Sequence, residues 1–243
     1  REVADLILLD DNFATIVAAI EEGRSIYENI QKFIRFLFST NLALVLLVVG
    51  GSIGSYILGL QDIGGGLLLP LTAVQLLWIN IIADGPPALA LGLDKNHGVM
   101  MQPPRDPNSP LLDRASLVFI VFTGVVKAAA GGLLLVLLPL YGYGVAAIRT
   151  AVFIFESVAQ LFFAYPSRRI SVIPRFNLAL LIAVWAGVAL QVLTLFIPFL
   201  REMLGLTLLD AQALLIVTVT VLLTWAIAEI YSRVSLKMRK AAN

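Results

Sequence analysis

Six stretches of this chain are apolar over about the twenty residues that a helix needs to cross a bilayer. They fall at residues 33–58, 67–93, 117–140, 145–165, 178–199 and 211–230. In lipid each backbone N–H and C=O must find its partner inside the protein, so isolated apolar runs of this length read as helices. The sequence therefore predicts an all-α membrane protein with six transmembrane helices. A mean hydropathy of +0.92 and only 14% charged residues, against about 25% in a soluble domain, point the same way. There is no cysteine, which excludes disulfides and thiolate metal sites. Arg1 opens directly into Glu2-Val3-Ala4-Asp5, which is not the pattern of a cleavable leader.

An even number of spans puts both chain ends on one side, and the basic residues choose it. Arg1, Arg24 and Lys32 precede the first span and Arg35 lies at its start. Lys95, Arg105 and Arg114 lie between the second and third, and Arg168, Arg169 and Arg175 between the fourth and fifth. Arg233, Lys237, Arg239 and Lys240 follow the last. Only Arg149 and Arg201 fall opposite, and Lys127 lies inside a span. The excess of positive charge in non-translocated loops makes the populated side cytoplasmic. The tail Lys237-Met238-Arg239-Lys240 reads as a membrane-surface anchor rather than a nucleic-acid patch.

The first thirty residues are not membrane-like. Val3 to Leu9 is expected to form a short buried strand running into a helix cap at Asp10-Asp11-Asn12. Ile16, Ala19 and Ile20 then mark an amphipathic helix that Gly23 is expected to interrupt. One strand and one helix cannot bury a core alone. The segment is read as the α/β remnant of a larger cytoplasmic domain, with an amphipathic surface tail as the alternative.

The chemistry sits inside the second span, in Trp78-Ile79-Asn80-Ile81-Ile82-Ala83-Asp84-Gly85-Pro86-Pro87. A carboxylate at membrane depth is costly and persists where something compensates it; a cation is the obvious candidate. The spacing of four puts Asn80 and Asp84 on one helical face. Gly85-Pro86-Pro87 is expected to break the helix and free carbonyl oxygens for a hard cation. At 1.5 Å per residue, Asp84 lies ~14 Å, Asn41 ~12 Å, Glu156 ~14 Å and Lys127 ~15 Å into their spans, one common layer. Lys127 and Glu156 can form a buried ion pair there. The pair either neutralises two costly charges or makes Glu156 a proton carrier or auxiliary ligand with Lys127 as counter-charge. His97 reads as a solvated loop residue.

Several segments together resemble the P-type cation-transporting ATPases. Asp10-Asp11-Asn12-Phe13-Ala14-Thr15-Ile16-Val17 and Glu21-Glu22-Gly23-Arg24-Ser25-Ile26-Tyr27 are similar to the end of their phosphorylation domain. Gln31-Lys32-Phe33-Ile34-Arg35-Phe36-Leu37 resembles the stalk of their fifth membrane helix. Gln75-Leu76-Leu77-Trp78-Ile79-Asn80 with Asp84-Gly85-Pro86-Pro87-Ala88 resembles the sixth helix of calcium-pump-like members. Met100-Met101-Gln102-Pro103-Pro104-Arg105 is similar to the following loop. Ala159-Gln160-Leu161-Phe162 and Trp225 to Tyr231 resemble helices eight and ten.

The resemblance implies a cytoplasmic remnant over 1–30 and a six-span membrane domain over 31–243. It also implies metal ligation by Asp84, Asn80 and Asn41. Leu44, Ala83 and Gln160 stand where two-site calcium pumps carry oxygen or acidic ligands. The pattern therefore looks like single-ion pumps, including those of plasma membranes, and Gln160 joins Glu156 as an auxiliary-ligand candidate. Asp-Lys-Thr-Gly, a nucleotide domain and a Pro-Glu-containing fourth helix do not occur in this chain. The implied Mg2+ and ATP would be needed only by the missing cytoplasmic part, and the chain alone would not hydrolyse ATP. The cation would be calcium first, with manganese and sodium also suited to carboxylate and amide oxygens. Two other classes remain open: a stand-alone six-helix cation channel or secondary transporter, and a non-catalytic accessory subunit.

Overall fold

The computed structural model describes residues 12–57, 59, 69–96, 99–101, 109–170 and 176–242. The expected strand over 3–9, His97 and the Gln102-Pro103-Pro104-Arg105 part of the loop motif lie outside them. Among the described residues every regular element is helical. The order is α1 (Phe13–Ile57), α2 (Ala73–Trp78), a π-helical turn (Ile79–Asp84), α3 (Gly85–Gly92), a 3-10 turn (Val99–Met101), α4 (Arg114–Leu140), α5 (Val145–Ser167), α6 (Leu178–Phe196), α7 (Pro198–Met203) and α8 (Ala211–Ala242). The pieces α2, π turn and α3 form one rod, so six helices are long and apolar enough to cross a membrane. The expected architecture of six helices able to span a membrane is what the described residues adopt.

Element ends follow local chemistry. Thr72 and Gln75 close a reciprocal capping box at the start of α2, so the second span begins at Ala73 and not at the apolar residues upstream. Asp113 caps α4 by accepting from the Ser116 N–H at 2.8 Å, and Asn177 caps α6 through the Leu180 N–H at 2.9 Å. Pro198 lacks an N–H and opens α7 as its first residue. The fifth span accordingly stops at Phe196, short of the expected 199. Gly23 does not interrupt α1, which is continuous over 45 residues. A single glycine costs a helix only about 1 kcal/mol, too little to break one of this length. At 1.5 Å per residue α1 is ~68 Å long, about twice the thickness of a hydrocarbon core. Its first half therefore projects from the basic end of the bundle. There Arg24 donates to the Val99 carbonyl at 3.1 Å and Gln31 to that of Leu111 at 2.6 Å.

The distribution of side chains is that of a protein solvated by lipid. Exposed positions carry Leu, Val, Ile and Phe, as at Ile182, Val192, Phe196, Leu215, Val219 and Leu222. Buried ones include Thr40, Gln75, Asp84, Lys127, Glu156, Gln160 and Gln191. The helix at the centre is α5: 67% of its apolar window is buried, twice the 33% of α1, α6 and α8. It packs against α1, the π turn, α3, α4, α6 and α8. Glu156 and Gln160 lie on its protein-facing side and are both fully buried.

Candidate functional site

The second span departs from α geometry at its polar residues. Pro86 and Pro87 have no N–H to give the carbonyls four residues earlier, and their rings crowd those carbonyls. An outright break at Gly85 is not what results. The chain widens into the π-helical turn over Ile79–Asp84, and the prolines sit at the start of α3, where no N–H is needed. Widened turns of this kind occur often at functional sites. In a π turn the backbone bond runs to the fifth residue, so positions four apart no longer stack. Asp84 is buried while Asn80 is exposed, and the expected shared face is not formed.

Asp84 points into the bundle. Its Oδ1 accepts a hydrogen bond of 2.5 Å from Gln160 Nε2 on α5 and lies 3.4 Å from the Thr40 hydroxyl on α1. Gln160 uses its other end as well: Oε1 accepts from Lys127 Nζ of α4 at 2.8 Å. The same ammonium lies 2.7 Å from Glu156 Oε2, with both side chains fully buried. Glu156 and Gln160 are four apart on α5, which places both beside one ammonium. Three of the four groups expected at one depth, Asp84, Lys127 and Glu156, are thus linked through Gln160 into a connected chain drawn from three helices. It holds two carboxylates and one ammonium, an excess of one negative charge. Gly131, one turn past Lys127, makes the pairing possible, since a Cβ there would stand 3.0 Å from Glu156 Oε1 and 3.1 Å from Leu47.

Asn41 is placed differently. It is exposed, and its amide donates to the Leu37 carbonyl of its own helix at 2.8 Å. Asn41 and Asn80 therefore lie outside the contact set of Asp84, on faces that the described residues do not cover. Thr40, one residue earlier, is the neighbour that sequence reasoning missed. Its signal was faint: a hydroxyl beside an amide in an apolar run; the structure buries it fully.

A second polar cluster closes the basic end and was not foreseen. Asp94, just past α3, receives Lys32 of α1 at 2.8 Å, Arg168 at the end of α5 at 2.9 and 3.0 Å, and Asn177 at 2.9 Å. Lys32 also donates to Asn96, and Asn29 donates to the Asp94 carbonyl at 2.7 Å. Burial works to raise the Asp94 carboxyl, but hydrogen bonds from Arg168 and Lys32, with their charges, hold it below the usual carboxylate range. Glu229 of α8 similarly joins Arg169 and Arg233. Arg35 donates to the Arg169 carbonyl at 2.8 Å and lies 4.0 Å over the Phe119 ring. These ties fix the helices on which the site stands.

A family model described as "Cation transporting ATPase, C-terminus" matches residues 68–234. "Calcium-transporting ATPase 1" of Schizosaccharomyces pombe is 46% identical over 113 residues, covering 46% of this chain and 11% of that protein. "Calcium-transporting ATPase" of Bacillus subtilis is 44% identical over 115 residues, covering 47% and 12%. The human "Calcium-transporting ATPase type 2C member 1" is 39% identical over 127 residues, covering 52% and 13%. The matched region thus amounts to 11–13% of the length of these curated relatives.

Proposed function

This chain belongs to the carboxy-terminal family of cation-transporting ATPases, and from that membership we propose that it is the membrane half of an ATP-driven calcium pump with a single ion site at Asp84. The observation that carries the proposal is Asp84 itself, a buried carboxylate on a π-helical turn. Its direct partners are an amide and a hydroxyl rather than a base. A carboxylate so placed is costly without a cation. Calcium is chosen because the relatives named above are calcium-transporting ATPases.

On this reading Asn80 and Asn41 add amide oxygens from the uncovered face. Calcium takes six to eight oxygens, so further ligands come from helices of a longer polypeptide. Residues 1–30 are the end of its phosphorylation domain and the stalk, and 31–243 its membrane domain. The long α1 then links phosphorylation to the site. ATP and Mg2+ are bound by the cytoplasmic part, both ends of this chain face the cytoplasm, and the pump resides in the plasma membrane.

The proposal sets the stoichiometry. Leu44 and Ala83 offer no side-chain oxygen, and Gln160 turns its amide nitrogen, not its oxygen, toward Asp84. Equilibrium binding of radioactive calcium to the full-length polypeptide is expected to give one ion per phosphorylation site. Two ions per site would contradict the single-site reading.

A further inference from the structure

We propose that the cavity between α5, α6 and α8 binds one uncharged glyceride lipid, a diacylglycerol, whose ester carbonyl accepts a hydrogen bond from the Gln191 amide. The inference needs only the fold and stands apart from the reading of Asp84.

The cavity has a volume of about 430 Å3, within the range of small-molecule sites. Its walls reach Phe196 of α6 and Leu214 of α8, at the ends of those helices away from the basic loops. Ile154, Val158, Val188, Leu195, Val217 and Val221 supply most of the apolar surface. At the inner end Phe162 packs against Trp185 and Trp225, with ring centroids 5.9 and 6.1 Å apart. Val192, Phe196 and Leu222 border the cavity and are exposed on the face that lipid covers. The opening is therefore to the bilayer.

Gln191, on this wall, is fully buried, and its Nε2 meets no acceptor among the described residues. Its Oε1 accepts from Trp78 Nε1 at 3.3 Å. An indole N–H can only donate, so Trp78 decides which end of the amide is used and leaves the NH2 group unmatched. The hydroxyl of Thr218, also on the wall, already donates to the Leu214 carbonyl at 2.7 Å. A buried donor without an acceptor is costly. Water is a poor remedy, because an ordered water needs several polar partners and apolar cavities stay dry. The missing acceptor therefore arrives on an apolar body. Among the described residues none that lines the cavity is charged, so that body is uncharged. Gln191 stands five residues before Phe196, the outer end of α6, or ~8 Å deep at 1.5 Å per residue. To bring its ester there a phospholipid would have to draw its charged headgroup below the interface, which hydrocarbon opposes. A diacylglycerol has ester carbonyls and acyl chains but no charge, and it can sink to that depth. Through Trp78, which directly precedes the π turn, the occupied amide also touches the second span.

The test is photolabelling of the full-length polypeptide in phosphatidylcholine vesicles, with a diacylglycerol that carries a diazirine on one acyl chain. Labelled peptides are identified by mass spectrometry. Wild type is expected to be labelled on the stretches of α5, α6 and α8 that wall the cavity, and excess unlabelled dioleoylglycerol should compete the label away. Gln191→Leu keeps the apolar volume and removes the donor, so labelling there should fall about fivefold, the worth of one hydrogen bond. Val192→Trp, at the exposed border, fills the opening without entering the packed core and should abolish it; this variant decides should Gln191→Leu not fold. Unchanged labelling in folded Gln191→Leu or in Val192→Trp would overturn the inference. So would equal labelling by the corresponding diazirine phosphatidylcholine, or displacement by cholesterol but not by dioleoylglycerol. None of these outcomes depends on calcium, so a failure here is distinct from a failure of the Asp84 site.

Discussion

Asp84→Asn in the full-length polypeptide is expected to weaken calcium binding by about a hundredfold or more and to abolish calcium-dependent phosphorylation from ATP. The substitution keeps size and hydrogen-bonding capacity, so Gln160 and Thr40 retain a partner. What disappears is the charge that offsets the cation. Removing one partner of a buried charge pair costs about 3–5 kcal/mol, and 1.4 kcal/mol is about a factor of ten in affinity. If ATP chemistry waits for a filled site, phosphorylation from ATP stops while phosphorylation from inorganic phosphate persists. Filter assays with labelled ATP and labelled phosphate measure both. Wild-type calcium affinity in the variant would remove Asp84 from the site.

Asp94→Ala is the change expected to damage the fold most. It would leave the ammonium of Lys32 and the guanidinium of Arg168 buried beside each other without their shared carboxylate. A loss of about 3–5 kcal/mol is expected, measured as the shift in unfolding midpoint of the chain in detergent. A change under about 0.5 kcal/mol would mean that water or a neighbouring acid takes over. The carboxyl is held below its ordinary value of 3.8 in the fold, so its stabilisation is full above that value. It is lost as pH falls through the lower folded value. Acid weakening of the wild type from this source should therefore begin only below about pH 4, and Asp94→Ala should not show it.

The features legible in the sequence were local ones. Apolar length and the even number of spans depend on contiguous residues, and four of the six expected spans coincide with a helix to within three residues at the end nearer the basic loops, where α1 and α8 run on beyond the expected bounds. Depth counting put Lys127 and Glu156 in one layer because an α-helix rises uniformly, and the pair forms at 2.7 Å. Gly85-Pro86-Pro87 was read as a break because proline's effect depends on register. At the first turn of α3 the missing N–H groups are harmless, and the strain moves upstream into the π turn. That shift separated Asn80 from Asp84, which the spacing of four had joined. Gln160 was read by residue type as an auxiliary ligand; its link to Lys127 is a matter of which end of the amide points where. Asp94 escaped because its partners Lys32 and Arg168 lie 62 and 74 residues away. A lone acid among basic loops was the only trace.

On the proposed reading this chain carries the ion path of an ATP-driven pump. Uptake of radioactive calcium by sealed vesicles bearing the full-length polypeptide tests it most directly. Accumulation against a gradient is expected only with ATP, and not at all in Asp84→Asn. Calcium flux of the same size without ATP, or through vesicles holding the 243-residue chain alone, would contradict the pump and point to a channel.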